Sequence, residues 1–506
     1  HAMTVRLLVP YGKFPANTNF SGGAAVEAEL LRTFQADTNL SLGAAFVDPS
    51  GTERAGPLSL ESTSGTDFLK ADGRSLLDLT AARAIVSTGG GSLLASGGAV
   101  NRTLKRFVDT VGVTAANSGT AATVSIDAAS PFGRPAYKVA MPAGNTYAEV
   151  QLGSLGVASF DSHVIWTVWV EDYTAVQQIQ VFAGTAGYGR MWQQTHNINN
   201  SNTNRINGEH KVVVGPTAAG VTNTFVGGTD TLAETKLRIF PGAGGANVWV
   251  ESTVVPGVGR ATHIITHDDA SVTWIQNVLP YLAAAGLVGS FGINTGDING
   301  SAALYLNAAQ VVQIAAAGHH ISPHNVTNTS VADGTGGSQT AAQYTADFVA
   351  AAAALGALIG QSLDTSYHPW VQGRTMQGVM DTMRAAGLRV ARGTDAGYNF
   401  PQAGLGGHVL QVKNQSLHTL TTDAQIDAIC ATAAKYGLTV IWMVHEVLTT
   451  GGSDGIGTDV ETNVSKYAYL CNRIARDIRE GLAVNRSMAD WGRELYAERL
   501  VAASLL

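Results

Sequence analysis

The chain has 506 residues, 45 % of them hydrophobic and only 14 % charged, with a net charge of −7. That length exceeds one ordinary core, so two or three domains are expected, and the even spread of aromatic and β-branched residues argues against disorder. The acidic balance, without a Lys/Arg run, argues against a nucleic-acid partner, and no run of about 18 apolar residues calls for membrane insertion.

His1-Ala2 ahead of Met3 reads as a cloning scar; the apolar run after Met3 is too short for a secretory signal, and no cleavage pattern follows. Residues 3–105 mix short apolar runs with breaks such as Ser87-Thr88-Gly89-Gly90-Gly91. Helices are expected over Leu76–Val86, capped by Ser75, and near Ala25–Ala36. Residues 106–258 read as an all-β sandwich. Strands are expected at Thr146–Leu152, Val164–Val170, Gln177–Ala183, Lys211–Val214, Lys236–Phe240 and Asn247–Val250, with polar turns between them, notably over Asn197–Asn207. Such a sandwich would suit carbohydrate binding: Trp169, Tyr188 and Trp192 are either stacking platforms for sugars or core and rim aromatics.

From residue 259 to 506 the rhythm becomes β then α. Strands are expected at Ala261–Thr266, Leu287–Ile293, His319–His324, Leu388–Thr394 and Leu438–His445. Helices are expected at Val272–Ala285, Asn307–Ala317, Thr340–Leu358, Met376–Ala386 and Ala424–Lys435. That alternation predicts a parallel, deformed (β/α) barrel with its chemistry at the C-terminal strand ends.

The polar motifs fall at those ends. Thr266-His267-Asp268-Asp269 closes the first strand. Adjacent carboxylates raise each other's pKa unless a cation relieves them, whereas the plainer alternative is a helix N-cap. His319-His320-Ile321-Ser322-Pro323-His324 follows, and residues two apart on a strand would put His320, Ser322 and His324 on one face. Neutral imidazoles are zinc ligands, and solvent-facing histidines are the alternative. Tyr367-His368-Pro369-Trp370 and Arg392-Gly393-Thr394-Asp395 each read as a turn when taken alone. Ile441-Trp442-Met443-Val444-His445 is an apolar strand ending in histidine. Cys430 and Cys471 are either two buried thiols or one disulfide; their spacing is too wide for a zinc knuckle.

Taken in order over about 240 residues, these motifs resemble the NodB-type polysaccharide deacetylases, carbohydrate esterase family 4. The resemblance implies Asp268 as the base that takes a proton from the attacking water and Asp269 and His324 as metal ligands. It puts Asn328 where the family has a second ligating histidine, the third ligand then being Asn328, His320 or water. It implies Trp370 as the residue whose backbone N–H helps hold the oxyanion, Asp395 as the aspartate of the fourth motif and His445 as general acid. Tyr367 stands where the family has an arginine that steadies the base, and Arg392 is the candidate to replace it from a neighbouring strand. Tyr367, His368 and His320 are the substrate-binding candidates. One divalent metal is implied, zinc first, with cobalt or nickel as alternatives.

The opening Leu7-Leu8-Val9-Pro10-Tyr11-Gly12 resembles the openings of bacteriophage tail proteins. With the sandwich and the deacetylase motifs it suggests a tail spike. Such a spike would be a homotrimer on the virion tail that contacts tail or baseplate proteins and deacetylates a bacterial capsule, exopolysaccharide or O-antigen. The competing expectations are a secreted chitin, peptidoglycan or xylan deacetylase and a non-catalytic saccharide-binding tail fibre.

Overall fold

A computed structural model describes residues 102–153, 155, 157, 161–198, 206–217, 222–223, 231–256, 259–332, 336–400, 409–418, 420–449 and 461–495, with the backbone of short strands between residues 4 and 94. Contacts divide the chain into two units, residues 1–102 with 494–506, and residues 103–493. In the first, Thr4–Leu8, Thr18–Ser21, Gly43–Val47 and Glu53–Ala55 form an antiparallel sheet. The helix expected over Leu76–Val86 is overturned at its end, where Ala84–Val86 pairs with Ser92–Leu94. Ile85 and Val86 are β-branched and favour the extended chain. The rest of that helix, Ser75 and the helix near Ala25–Ala36 lie outside the described residues.

The larger unit carries the strands β1 (Val113–Gly119), β2 (Thr123–Asp127), β3 (Ala136–Met141), β4 (Asn145–Leu152), β5 (Val164–Val170), β6 (Val176–Gly184), β7 (Met191–Asn197), β8 (Gly208–Val214), β9 (Glu234–Pro241) and β10 (Ala246–Val255), and a strand at Arg102–Arg106 pairs with β10. One antiparallel sheet runs β1-β4-β9-β6-β7 and continues to Thr222–Asn223; the other runs β2-β3-β10-β5-β8. Strand alternation turns Val150, Leu237 and Val181 of the first toward Val139, Trp166 and Val250 of the second, in one core. The Trp166 indole crosses that core to donate to Thr235 Oγ1 at 3.0 Å. Trp192 is part of the core and is therefore no platform for a sugar. Trp169 lies on the outer face of the second sheet, edge-on to Phe132. On that same face Ile165 and Val213 join the core of the region that follows.

That region is the barrel. Its parallel strands are β11 (Ala261–His267), β12 (Gly289–Ile293), β13 (His320–Pro323), β14 (Tyr367–Pro369), β15 (Val390–Ala396), β16 (Val412–Ser416) and β17 (Thr439–Val444), in the order β13-β12-β11-β17-β16-β15-β14. β18 (Ala483–Asn485) lies beside β11. The helices are α1 (Thr273–Asn277), α2 (Leu279–Ala285), α3 (Ala308–Ala316), α4 (Ala341–Ile359), α5 (Gln377–Ala385), α6 (Asp423–Tyr436) and α7 (Val464–Arg479). Capping boxes at Asn307, Thr340 and Thr422 start α3, α4 and α6. The helix expected over Val272–Ala285 is broken into α1 and α2 at Val278, because Pro280 has no N–H to offer the preceding turn and its ring crowds it.

α4 is long and apolar enough by length and composition to cross a membrane, with a mean hydropathy of 1.3. Much of that apolarity is alanine, and its Tyr344, Phe348, Ala351 and Leu355 are packed inside the barrel wall.

The end strands β13 and β14 meet without a backbone ladder among the described residues. Pro323 and Pro369 stand at this seam and have no N–H to give. Two imidazoles bridge it instead: His368 Nδ1 lies 3.0 Å from Pro323 O, and His324 Nδ1 lies 3.0 Å from Pro369 O. Cys430 and Cys471 are free, buried thiols rather than a disulfide.

Candidate active site

The site forms where β11 stops. Asp268 N–H still donates to Val444 O at 3.0 Å, but Asp269 and Ala270 both take left-handed backbone angles, with φ of 77° and 54°. Such angles are costly for residues with a Cβ and cluster at functional sites. An extended strand would send adjacent carboxylates to opposite faces; this reversal brings both to the barrel mouth. Neither aspartate caps α1, whose N-cap position is Val272.

Asp268 is buried, and its Oδ2 accepts from the buried Arg392 guanidinium. Its Oδ1 is buried with no hydrogen-bond partner. Gly292 keeps the space beside that oxygen open: a Cβ there would stand 3.0 Å from Pro369 Cγ and 3.3 Å from Oδ1. Burial raises the Asp268 pKa, but Arg392, then His324 and His445, outweigh it, so the carboxyl is held below its ordinary value. Arg392 thus occupies the steadying position considered for it. Tyr367, only 1 % exposed, packs beside that guanidinium beneath the site, so it cannot touch substrate as expected.

Asp269 is the more open carboxylate. Its Oδ1 lies 3.4 Å from His324 Nε2 and 3.4 Å from Asn328 Nδ2. Burial lowers the His324 pKa, and the Asp269 bond with the two carboxylate charges more than reverses that shift. Asp269 itself is raised by burial and lowered further by His324, for a net fall. His445 Nε2 stands 3.8 Å from Asp269 Oδ2 and 4.0 Å from Asp268 Oδ2, and the Trp274 indole holds its carbonyl at 2.7 Å.

This donor set fits a divalent cation. With the His324 Nδ1 proton given to Pro369 O, Nε2 is left as a lone pair facing the Asp269 carboxylate. Two acceptors so placed repel unless a cation or a second proton lies between them. The Asn328 amide, turned over, adds a third oxygen; which way an amide points is an assignment made from its partners.

Besides Tyr367, four sequence expectations are corrected. His320 does not join His324: four extended residues separate the two by roughly 13 Å along the strand, too far to share one ion. His320 sits at the other end of β13, where Asp364, Asp490 and Arg493 act on it. His368 is fully buried, bonded to Tyr344 Oη at 2.8 Å, and its pKa is lowered to about 3 by burial; it closes the seam and does not meet substrate. Trp370 N–H donates to Arg392 O at 3.0 Å and its indole to Leu410 O, so that N–H is not free to hold an oxyanion. Asp395 lies past a register shift between Arg392 and Ala396, beside Lys413, and no hydrogen bond or ion pair ties it to the site among the described residues.

Three residues at the mouth were missed. Burial and the Asp269 charge both raise the Asp297 pKa, and Asp297, Asp269 and Glu446 all act on Tyr305. Glu446 is buried, with Ser271 Oγ at 3.4 Å. Asp297 and Glu446 follow the ends of β12 and β17, so the strand-end rule could have found them.

A second cluster, His263, Cys430 and Asp477, has ligand atoms within 4.8 Å of one another nearer the N-terminal strand ends. The Trp442 indole donates to His263 Nδ1 at 3.2 Å, and burial lowers that imidazole to about 3. The neutral ring therefore carries its proton on Nε2, and Asp477 already meets Arg473. The cluster is a buried polar group, not a ligand set.

No family model and no curated protein matches the chain. Similar solved structures include a family 4 acetyl xylan esterase from Clostridium thermocellum with a cobalt ion, at 13 % identity over 46 % of this chain and 89 % of that one, TM-score 0.29. Another is the Streptococcus pyogenes deacetylase PplD with acetate, at 14 % identity over 30 % of this chain, TM-score 0.25. The chain spans 63 % of the streptococcal protein. A third is a family 11 carbohydrate-binding module from Clostridium thermocellum, at 9 % identity over 32 % of this chain and 96 % of that one, TM-score 0.22.

Asn328→His is expected to tighten metal binding roughly tenfold or more, because imidazole is the better zinc ligand. His320→Ala should leave affinity unchanged. Chelator competition reads both; release of metal by His320→Ala would move the third ligand to β13.

Proposed function

We propose that the barrel is a metal-dependent deacetylase acting on an acetylated bacterial surface polysaccharide. One observation carries this reading: a buried, arginine-held Asp268 shares a strand-end mouth with His445 and with an Asp269–His324 pair whose Oδ1 and Nε2 stand 3.4 Å apart. Asp269, His324 and Asn328 would hold the ion, zinc first, with cobalt or nickel as alternatives. When bound, that ion supplies Lewis acidity to water and to the acetyl carbonyl.

The residues of the chain do the rest. Asp268, kept ionised by Arg392, accepts the proton of the attacking water at Oδ1, the oxygen that Arg392 leaves free. His445, whose Nε2 stands 3.8 Å from Asp269 and 4.0 Å from Asp268, returns a proton to the departing amine or alkoxide. The setting we propose, from the chain's opening sequence, is a homotrimeric phage tail spike that meets tail or baseplate proteins. The test is acetate release from acetylated capsule, exopolysaccharide and O-antigen preparations. Release should stop on chelation and return with zinc or cobalt. Metal-loaded protein that releases no acetate from any of them would end the reading.

The arginine gives a pH prediction. The Asp268 pKa is depressed in the folded protein, so the base stays ionised well into acid and fails only as pH falls through that low value. Arg392→Lys replaces a forked donor with a point charge and lets burial reassert itself. The acid limb of kcat/KM should move to higher pH. A limb that stays put would show that Asp268 is not the group titrating there.

A further inference from the structure

The outer face of the β1-β4-β9-β6-β7 sheet is a second, separate surface. In-register pairing sets its side chains in rows: Glu149 beside Arg238 beside Gln180, and Gln151 beside Lys236 beside Phe182 beside Gln193. Strands about 4.8 Å apart make these rows a lattice of planar polar groups broken by rings. The rings pin the long cations. Lys236 Nζ lies 4.9 Å from the centre of Phe182 and 4.7 Å from that of Tyr188, and the Arg238 guanidinium lies 4.6 Å from Tyr147. Glu149 then accepts from Arg238 at 2.9 Å, and Lys236 stands 3.4 Å away.

Two details make this more than a solvated sheet face. Tyr188 is held over it by a left-handed φ of 56°, a costly setting for an aromatic residue. Its hydroxyl is buried without a hydrogen-bond partner. The turn that carries Tyr188 is tied down by Gly187 N–H to Glu234 at 3.2 Å.

We infer that this face binds an uncharged polysaccharide chain, its rings stacking on Tyr147 and Tyr188 and its hydroxyls meeting Gln151, Gln180, Gln193 and Arg238. The charge pattern selects that partner. Lys236 and Arg238 are balanced by Glu149 and Glu234, so the face offers no net field to a nucleic acid or an anionic surface. Among the described residues, none of the large exposed hydrophobic ones lies on its strands, so those strands lack the apolar centre of a protein interface. Side chains already pinned by rings and ion pairs lose little freedom on binding, which favours a hydroxyl-rich ligand. The barrel docks on the opposite sheet through Ile165 and Val213, so polymer held here is a different stretch from the one at Asp268. The role as a hold on the polymer during deacetylation rests on the enzyme reading; the binding itself does not.

Affinity electrophoresis of the full chain in gels containing acetylated xylan or poly-N-acetylglucosamine tests it. The Asp268→Asn background prevents turnover. Tyr188→Ala and Gln180→Ala should each weaken retention at least tenfold, while hydrolysis of a small acetyl ester by the same substitutions in the wild-type background is unchanged. Circular dichroism confirms that the variants fold. Retention equal to that of the parent, or a parent retained by neither polymer, overturns the inference. Acetate release with Tyr188-independent retention would sink the surface and keep the enzyme; Tyr188-dependent retention without acetate release would do the reverse.

Discussion

Asp268→Asn is expected to keep its metal and lose about 10³-fold or more of kcat. General base catalysis is worth roughly 10²–10⁴. Here the base also carries the only carboxylate that meets Arg392 among the described residues. The amide preserves shape but can take no proton, and it leaves Arg392 buried beside a neutral group, so some stability should go as well. The ion is expected to stay because the ligands we propose are Asp269 and His324, not Asp268. Elemental analysis beside turnover with acetylated polysaccharide decides it. Loss of metal together with activity would mean that the two aspartates have the opposite roles.

His324→Ala is expected to abolish stoichiometric metal binding and, with it, activity. It should also cost stability in the metal-free protein, because Pro369 O loses its donor; a buried acceptor left unmet costs about 1–3 kcal/mol. Metal content and denaturant midpoints of the stripped proteins measure the two effects separately. Full metal content in the variant would remove His324 from the ligand set.

The barrel was legible because its inner strands are apolar runs and α3, α4 and α6 open with Asn or Thr caps. Strands with no apolar face were not. β1 (Val-Thr-Ala-Ala-Asn-Ser-Gly) is mostly exposed, and β7 and β16 carry Gln, Asn, Lys and His where alternation would show. α7 has Tyr467, Leu470, Cys471 and Ile474 at helical spacing and could have been read. At the site, Asp268, Asp269, His324, Asn328 and His445 do meet, since each stands at or just past a strand end. Trp370 and Asp395 were placed by position in a motif, and His320 by strand alternation that ignored the rise along the strand, whereas the register shift in β15 and the hydrogen bond taken by Trp370 N–H are backbone events. Residue types at fixed spacing do not reveal them.

The proline-flanked seam between β13 and β14 ties mechanics to chemistry. One of the two imidazoles that latch the barrel shut, His324, is also the one that faces Asp269. If His324 holds the proposed ion, breathing that parts the two strands would swing its Nε2 away from that ion, and an ion bound there would in turn hold the wall closed. Loading the metal should therefore slow amide hydrogen exchange along the flanking strands β12 and β15, far beyond the ligands, so that the ion works as a rivet as well as a reagent.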